Sequence, residues 1–152
     1  MKKFEFRFEA VSKVRRIEME RQARVMAEAQ MKVKEIESQI LSIQNFQGAE
    51  VKRLQSVTSL GHFTEQMMML SDSFRGDLKK QLNFKRHELR DWENKVREER
   101  AKLVEKEKRR QVIEKLREKD LENYKEEWRK DETKRMDEVA SQLLVRRHSL
   151  ES

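Results

Sequence analysis

The sequence predicts an all-α protein, an antiparallel two-helix coiled-coil hairpin with a short helical or loop tip. Three observations predict it. Apolar residues recur at alternating strides of three and four along Met26, Ala29, Val33, Ile36, Ile40 and Ile43, which is the seam of a left-handed coiled coil. Proline is absent from all 152 residues and glycine occurs only three times, so almost nothing blocks a helix. Turn formers gather in only one place, Ser56–Ser73, and a short connection folds a helix back antiparallel on its neighbour.

In chain order, residues 2–8 alternate, with Phe4, Phe6 and Phe8 between charged residues. They are expected to form a lead-in packed over the partner helix at the open end, with an exposed docking plug as the alternative. The first helix is expected over about 8–57. Its row starts at Met19 and Gln22 and passes through Gln47 and Glu50 to Leu54 and Val57. Gly48 lies inside it at about 1 kcal/mol relative to Ala.

The turn region is expected over 58–73. Gly61 suits a left-handed C-cap. Thr64 is a candidate N-cap for a short helix through Met67-Met68-Met69-Leu70, and Ser71-Asp72-Ser73 is a second candidate cap.

The second helix is expected over 74–145, on the row Leu78, Leu82, Lys85, Leu89, Trp92, Val96, Glu99, Leu103, Lys106, Arg110 and Ile113. The frame then slips to Leu116, Leu121, Tyr124 and Trp128, a stutter. Met136, Val139 and Leu143 make a further weak face. Residues 146–152 are expected to be disordered, and the whole of 1–152 to be one hairpin. A turn centred near residue 65 sets Ile40 near Trp92 and Met19 near Ile113, and leaves everything past about Lys125 overhanging.

Composition narrows the function classes. Charged residues make 43% of the chain, but the sustained apolar repeat argues against disorder. With no cysteine, a disulfide framework and a thiolate metal site are excluded. The opening Met-Lys-Lys-Phe-Glu-Phe-Arg-Phe lacks the apolar run of a signal peptide, and no stretch approaches a membrane span. A soluble, cytoplasmic protein is expected. The net charge is +7, which invites an anionic partner. Acidic and basic residues are interleaved, however, as in Glu105-Lys106-Glu107-Lys108, which is the pattern of a solvated helix face. Trp92 and Trp128 read as seam and stripe residues, not stacking platforms, so nucleic acid is not expected as a partner.

Catalysis is not expected either. His62, His87 and His148 are far apart, and His87 with Asp91 at i,i+4 has no third ligand. The chain has no Gly-rich phosphate loop. An exposed helix also offers no water-excluded pocket to shift carboxylate pKa values. No cofactor is expected. The Met67–Met69 cluster reads equally as a plug over the seam or as an adaptable binding surface.

Three features together resemble a known family. They are Phe4-x-Phe6-x-Phe8-Glu9-x-Val11, the mid-chain break followed by Leu89-Arg90-Asp91-Trp92, and Asp131-Glu132-Thr133-Lys134-Arg135-Met136-Asp137-Glu138-Val139-Ala140. In order and spacing the chain is similar to the FliJ family of the bacterial flagellar type III export apparatus. The resemblance implies a coiled coil like the central stalk of rotary ATPases. It implies binding to the export ATPase hexamer, to the export-gate membrane protein FlhA and to export chaperones, with peripheral placement on the cytoplasmic side of the inner membrane. By resemblance, the gate-facing residues are Gln39, Ile43, Phe46, Phe74 and Leu78, with departures from the family pattern at Gln81 and Lys85. Met136, Asp137 and Glu138 match the region of ATPase and chaperone contact. The rival readings are the stalk of a virulence type III secretion system, a basic coiled coil on nucleic acid, and a homo-oligomer of straight helices.

Overall fold

The computed structural model describes residues 2–62 and 64–152. The fold is all-α, two long helices packed against each other with no strand among the described residues. α1 spans Glu9–Ser59 and α2 spans Glu65–Glu151. Gly61 ends α1, with φ +71°, and its N–H donates to the Thr58 carbonyl at 3.2 Å. Only a residue without Cβ takes this left-handed conformation freely. Thr64 opens α2, its hydroxyl accepting from the Met67 N–H at 3.2 Å.

The connection is therefore shorter than the expected 58–73, of which Phe63 lies outside the described residues. The helix that Thr64 caps does not stop at Leu70. It runs on through Ser71-Asp72-Ser73, because the Ser71 hydroxyl donates to the Glu50 carboxylate at 3.1 Å instead of capping a new helix. The far end also departs from expectation. Residues 146–151 are helical, with Arg147 and Glu151 paired at 3.6 Å and no proline or glycine to stop the helix.

The inter-helix contacts divide into two units. The unit Glu20–Val104 is an antiparallel pair. Gln22 meets Glu99, and Glu50 meets Ser71; in both, the residue numbers sum to 121. Every stop of the α1 row from Gln22 to Val57 is buried or half-buried, and so is every stop of the α2 row from Leu78 to Leu103. Ala29, Ile36, Leu78 and Leu82 are its buried apolar residues.

The register differs from the expected pairing of Ile40 with Trp92. Trp92 instead shares a groove with Val25, Ala29 and Met31. The chain reverses at 60–64, earlier than residue 65, and moving a turn centre by one residue moves every pairing by two. The small Ala29 thus accommodates the large Trp92.

The unit Met1–Met19 with Glu105–Ser152 pairs the start of the chain with the later part of α2. Glu9 and Arg117 are 3.4 Å apart, and the Tyr124 hydroxyl donates to the Lys2 carbonyl at 2.6 Å. Counted antiparallel from the Glu9–Arg117 pair, Met19 is level with about residue 107 and not Ile113. Leu116, Leu121 and Tyr124 are half-buried, as the shifted frame predicts, whereas Trp128 is exposed. All of 125–152 is exposed, the overhang expected past Lys125.

Candidate functional site: two exposed apolar surfaces

Among the described residues no group of three or more His, Asp or Glu could hold a metal, and no helix is long and apolar enough to cross a membrane. What the helices present is surface. The first surface lies in the Glu20–Val104 unit. Gln39, Ile43 and Phe46 follow one another at strides of four and three on α1; Phe74 and Leu78 are four apart on α2. In the register of this unit Ile43 is level with Leu78, and Phe46 is level with Phe74 to within one residue. Helical spacing puts both phenylalanines on the same side of the seam.

The five residues divide by burial. Leu78 is buried and Ile43 half-buried, so both belong to the seam. Phe46 is 60% exposed and Phe74 43%. Gln39 is half-buried, and its side-chain oxygen has no hydrogen-bond partner. Phe74 does not open α2, since two turns precede it. Those turns bring in a residue that sequence reasoning missed. Leu70, 72% exposed, stands one turn before Phe74 on the same face. Its i,i+4 relation to Phe74 would have revealed it had Thr64 been taken as the start of the long helix. At the other end of this face Gln81 is exposed, and Lys85 is drawn to Glu88 at 3.1 Å.

Beneath the surface the seam is polar. Glu50 is buried and held by Arg53 at 2.8 Å and by Ser71 at 3.1 Å. The Arg53 hydrogen bond, followed by that of Ser71, keeps its carboxyl below the usual range despite desolvation. Glu99 is the second such position. Gln22 donates to its carboxylate and, at 3.0 Å, to its backbone carbonyl. Lys102 and Lys95 stand 3.2 and 3.5 Å away. The Gln22 hydrogen bond is the largest influence holding the Glu99 carboxyl low, and the lysines add to it.

The second surface lies in the other unit, on the overhang of α2. Met136 is 69% exposed, and Asp137 and Glu138 are exposed beside it. Val139 and Leu143 continue the stripe at 53% and 60%.

Compared with known protein families, the chain matches the one described as Flagellar FliJ protein over residues 4–149. It belongs to the FliJ family. No curated protein and no solved structure matches it. The FliJ match spans the lead-in, both helices and nearly the whole overhang, and it identifies a flagellar export protein.

Proposed function

We propose that this FliJ-family protein is a non-catalytic stalk of the flagellar type III export apparatus. It couples the export ATPase hexamer to the gate protein FlhA and also engages export chaperones. It works on the cytoplasmic side of the inner membrane, held there through its partners. The match over residues 4–149 carries this reading and favours a flagellar over a virulence system. The two apolar surfaces support it. Exposed aromatic residues clustered beside a packed seam are the usual anchors of a protein interface. Phe46 and Phe74, with Gln39, Ile43 and Leu78, are assigned to the gate; Met136, Asp137 and Glu138 are assigned to the ATPase and chaperones.

Pull-down from cells with the tagged protein tests the function class. Recovery of the export ATPase is expected, and its absence together with that of FlhA contradicts the reading. The gate assignment has its own test. Phe46→Ala with Phe74→Ala is expected to lower FlhA binding at least tenfold and to reduce motility. Because both side chains are exposed, each change should shift stability by no more than about 0.5 to 1 kcal/mol. Collapse of helicity by circular dichroism would make these phenylalanines structural instead.

A further inference from the structure

Residues 2–8 precede α1 as a non-helical segment lying along α2 in the Met1–Met19 and Glu105–Ser152 unit. The Phe4 and Tyr124 ring centroids are 5.4 Å apart, and the Tyr124 hydroxyl reaches the Lys2 carbonyl. Phe6 is buried at 7% exposure. The Arg117 guanidinium stands 5.9 Å from the Phe6 ring centroid while it pairs with Glu9. Lys2, Lys3 and Arg7 line a groove whose α2 side includes Asp120 and Glu127. The segment is thus bound as a peptide ligand would be, by aromatic residues at alternate positions, while its basic residues and Glu5 share one groove with Asp120 and Glu127.

Its attachment is partial: Phe6 is buried as deeply as Leu82 of the seam, but the rest of the segment is half-buried or exposed. Of its three phenylalanines only Phe6 is buried; Phe4 and Phe8 are half-buried, and the Tyr124 hydrogen bond is exposed to solvent. It also covers the last protected stretch of α2, for every residue beyond Tyr124 is exposed.

We propose that residues 2–8 are a releasable latch. They act as an intramolecular ligand that closes the Arg117–Tyr124 face of α2 until a basic, extended peptide segment with alternating aromatic residues replaces them. Release joins Leu121 and Tyr124 to Trp128, which lengthens the exposed stripe of α2 by about two turns. The latch does not rest on which protein docks there.

The probe is a fluorescent peptide copying residues 2–8. In the full chain the tethered segment competes at an effective concentration of about a millimolar, as a short linker provides. Phe4→Ala with Phe6→Ala weakens the latch and leaves the α2 face intact. Fluorescence anisotropy should show this variant binding the peptide at least tenfold more tightly than the wild type. Equal binding, or no binding by a variant that keeps its helicity, overturns the proposal.

A second measurement does not depend on how the variant folds. The chain has no cysteine, so a nitroxide can be placed at Lys3→Cys alone. Saturating peptide should mobilise that label; a label that stays immobile overturns the latch. Failure to recover the export ATPase from cells would count against the stalk reading and would leave both of these results standing.

Discussion

At the residue scale, Glu50 and Glu99 show how this chain tolerates charge in its seam. Each carboxylate is buried between the helices and engaged from across the seam, by Ser71 and by Gln22 respectively. An apolar pair in their place would bury more greasy surface, but it would fit several registers equally well. Sliding one helix by a heptad sets Glu99 against Ala29 and Glu50 against Leu78, which removes from each buried carboxylate its donor on the partner helix.

These carboxyls, and that of Glu107 held low by Arg110, bind protons less readily when folded. Their contribution is therefore fully present above the unfolded carboxylate pKa of about 4.3 and is lost as pH falls through the lower folded values. Urea unfolding followed by circular dichroism should show stability level near neutral pH and declining below about pH 4.3. Glu99→Gln should flatten part of that decline. An unchanged acid limb in this variant would mean that Glu99 is not held as described.

At the scale of the elements, the two rows of stops were legible in the sequence. Gln22 to Val57 and Leu78 to Leu103 are the residues that the helices cover in the Glu20–Val104 unit, because a 3.5-residue repeat leaves little freedom over which side faces the partner. Even the polar stops Gln47, Glu50, Lys85 and Glu99 keep their places. What the repeat does not encode is axial position. That depends on where the chain reverses, and Ser71-Asp72-Ser73 imitates a helix cap while Ser71 serves as part of the seam.

The same misreading hid Leu70 and misplaced the partner of Trp92. The surface proposed for the gate was thus legible only as a set of helix positions, while its apolar extent was not. Burial sorts the consequences of mutation. Ile36→Ala, at a position 3% exposed, should lower stability by about 2 to 4 kcal/mol in urea melts. A loss below about 1 kcal/mol would mean that the seam is looser than this packing implies.

At the scale of the whole molecule, the protein has little interior to draw on. A helix pair buries one stripe on each partner, and backbone ordering opposes folding at every residue. Long solvated faces and a bare end of α2 follow from that arrangement. They also suit a protein whose role is proposed to be contact with other proteins. The FliJ family places the chain in flagellar export; the paired helices are what that role has to work with.

The central claim is that α1 and α2 pair antiparallel within one molecule, in the Glu20–Val104 unit in the register that Gln22 and Glu99 set. The most direct measurement is the distance between two spin labels, at Glu28→Cys and Lys95→Cys. Both positions line the groove beside Trp92 in the Glu20–Val104 unit. The account predicts one narrow distribution at about 10 to 20 Å, since packed helix axes lie roughly 8 to 10 Å apart. Dilution with unlabelled protein should leave it unchanged. A slip of ten residues would move the labels apart by about 15 Å along the axis. A longer or broad distribution, or a short distance that vanishes on dilution, would contradict the hairpin.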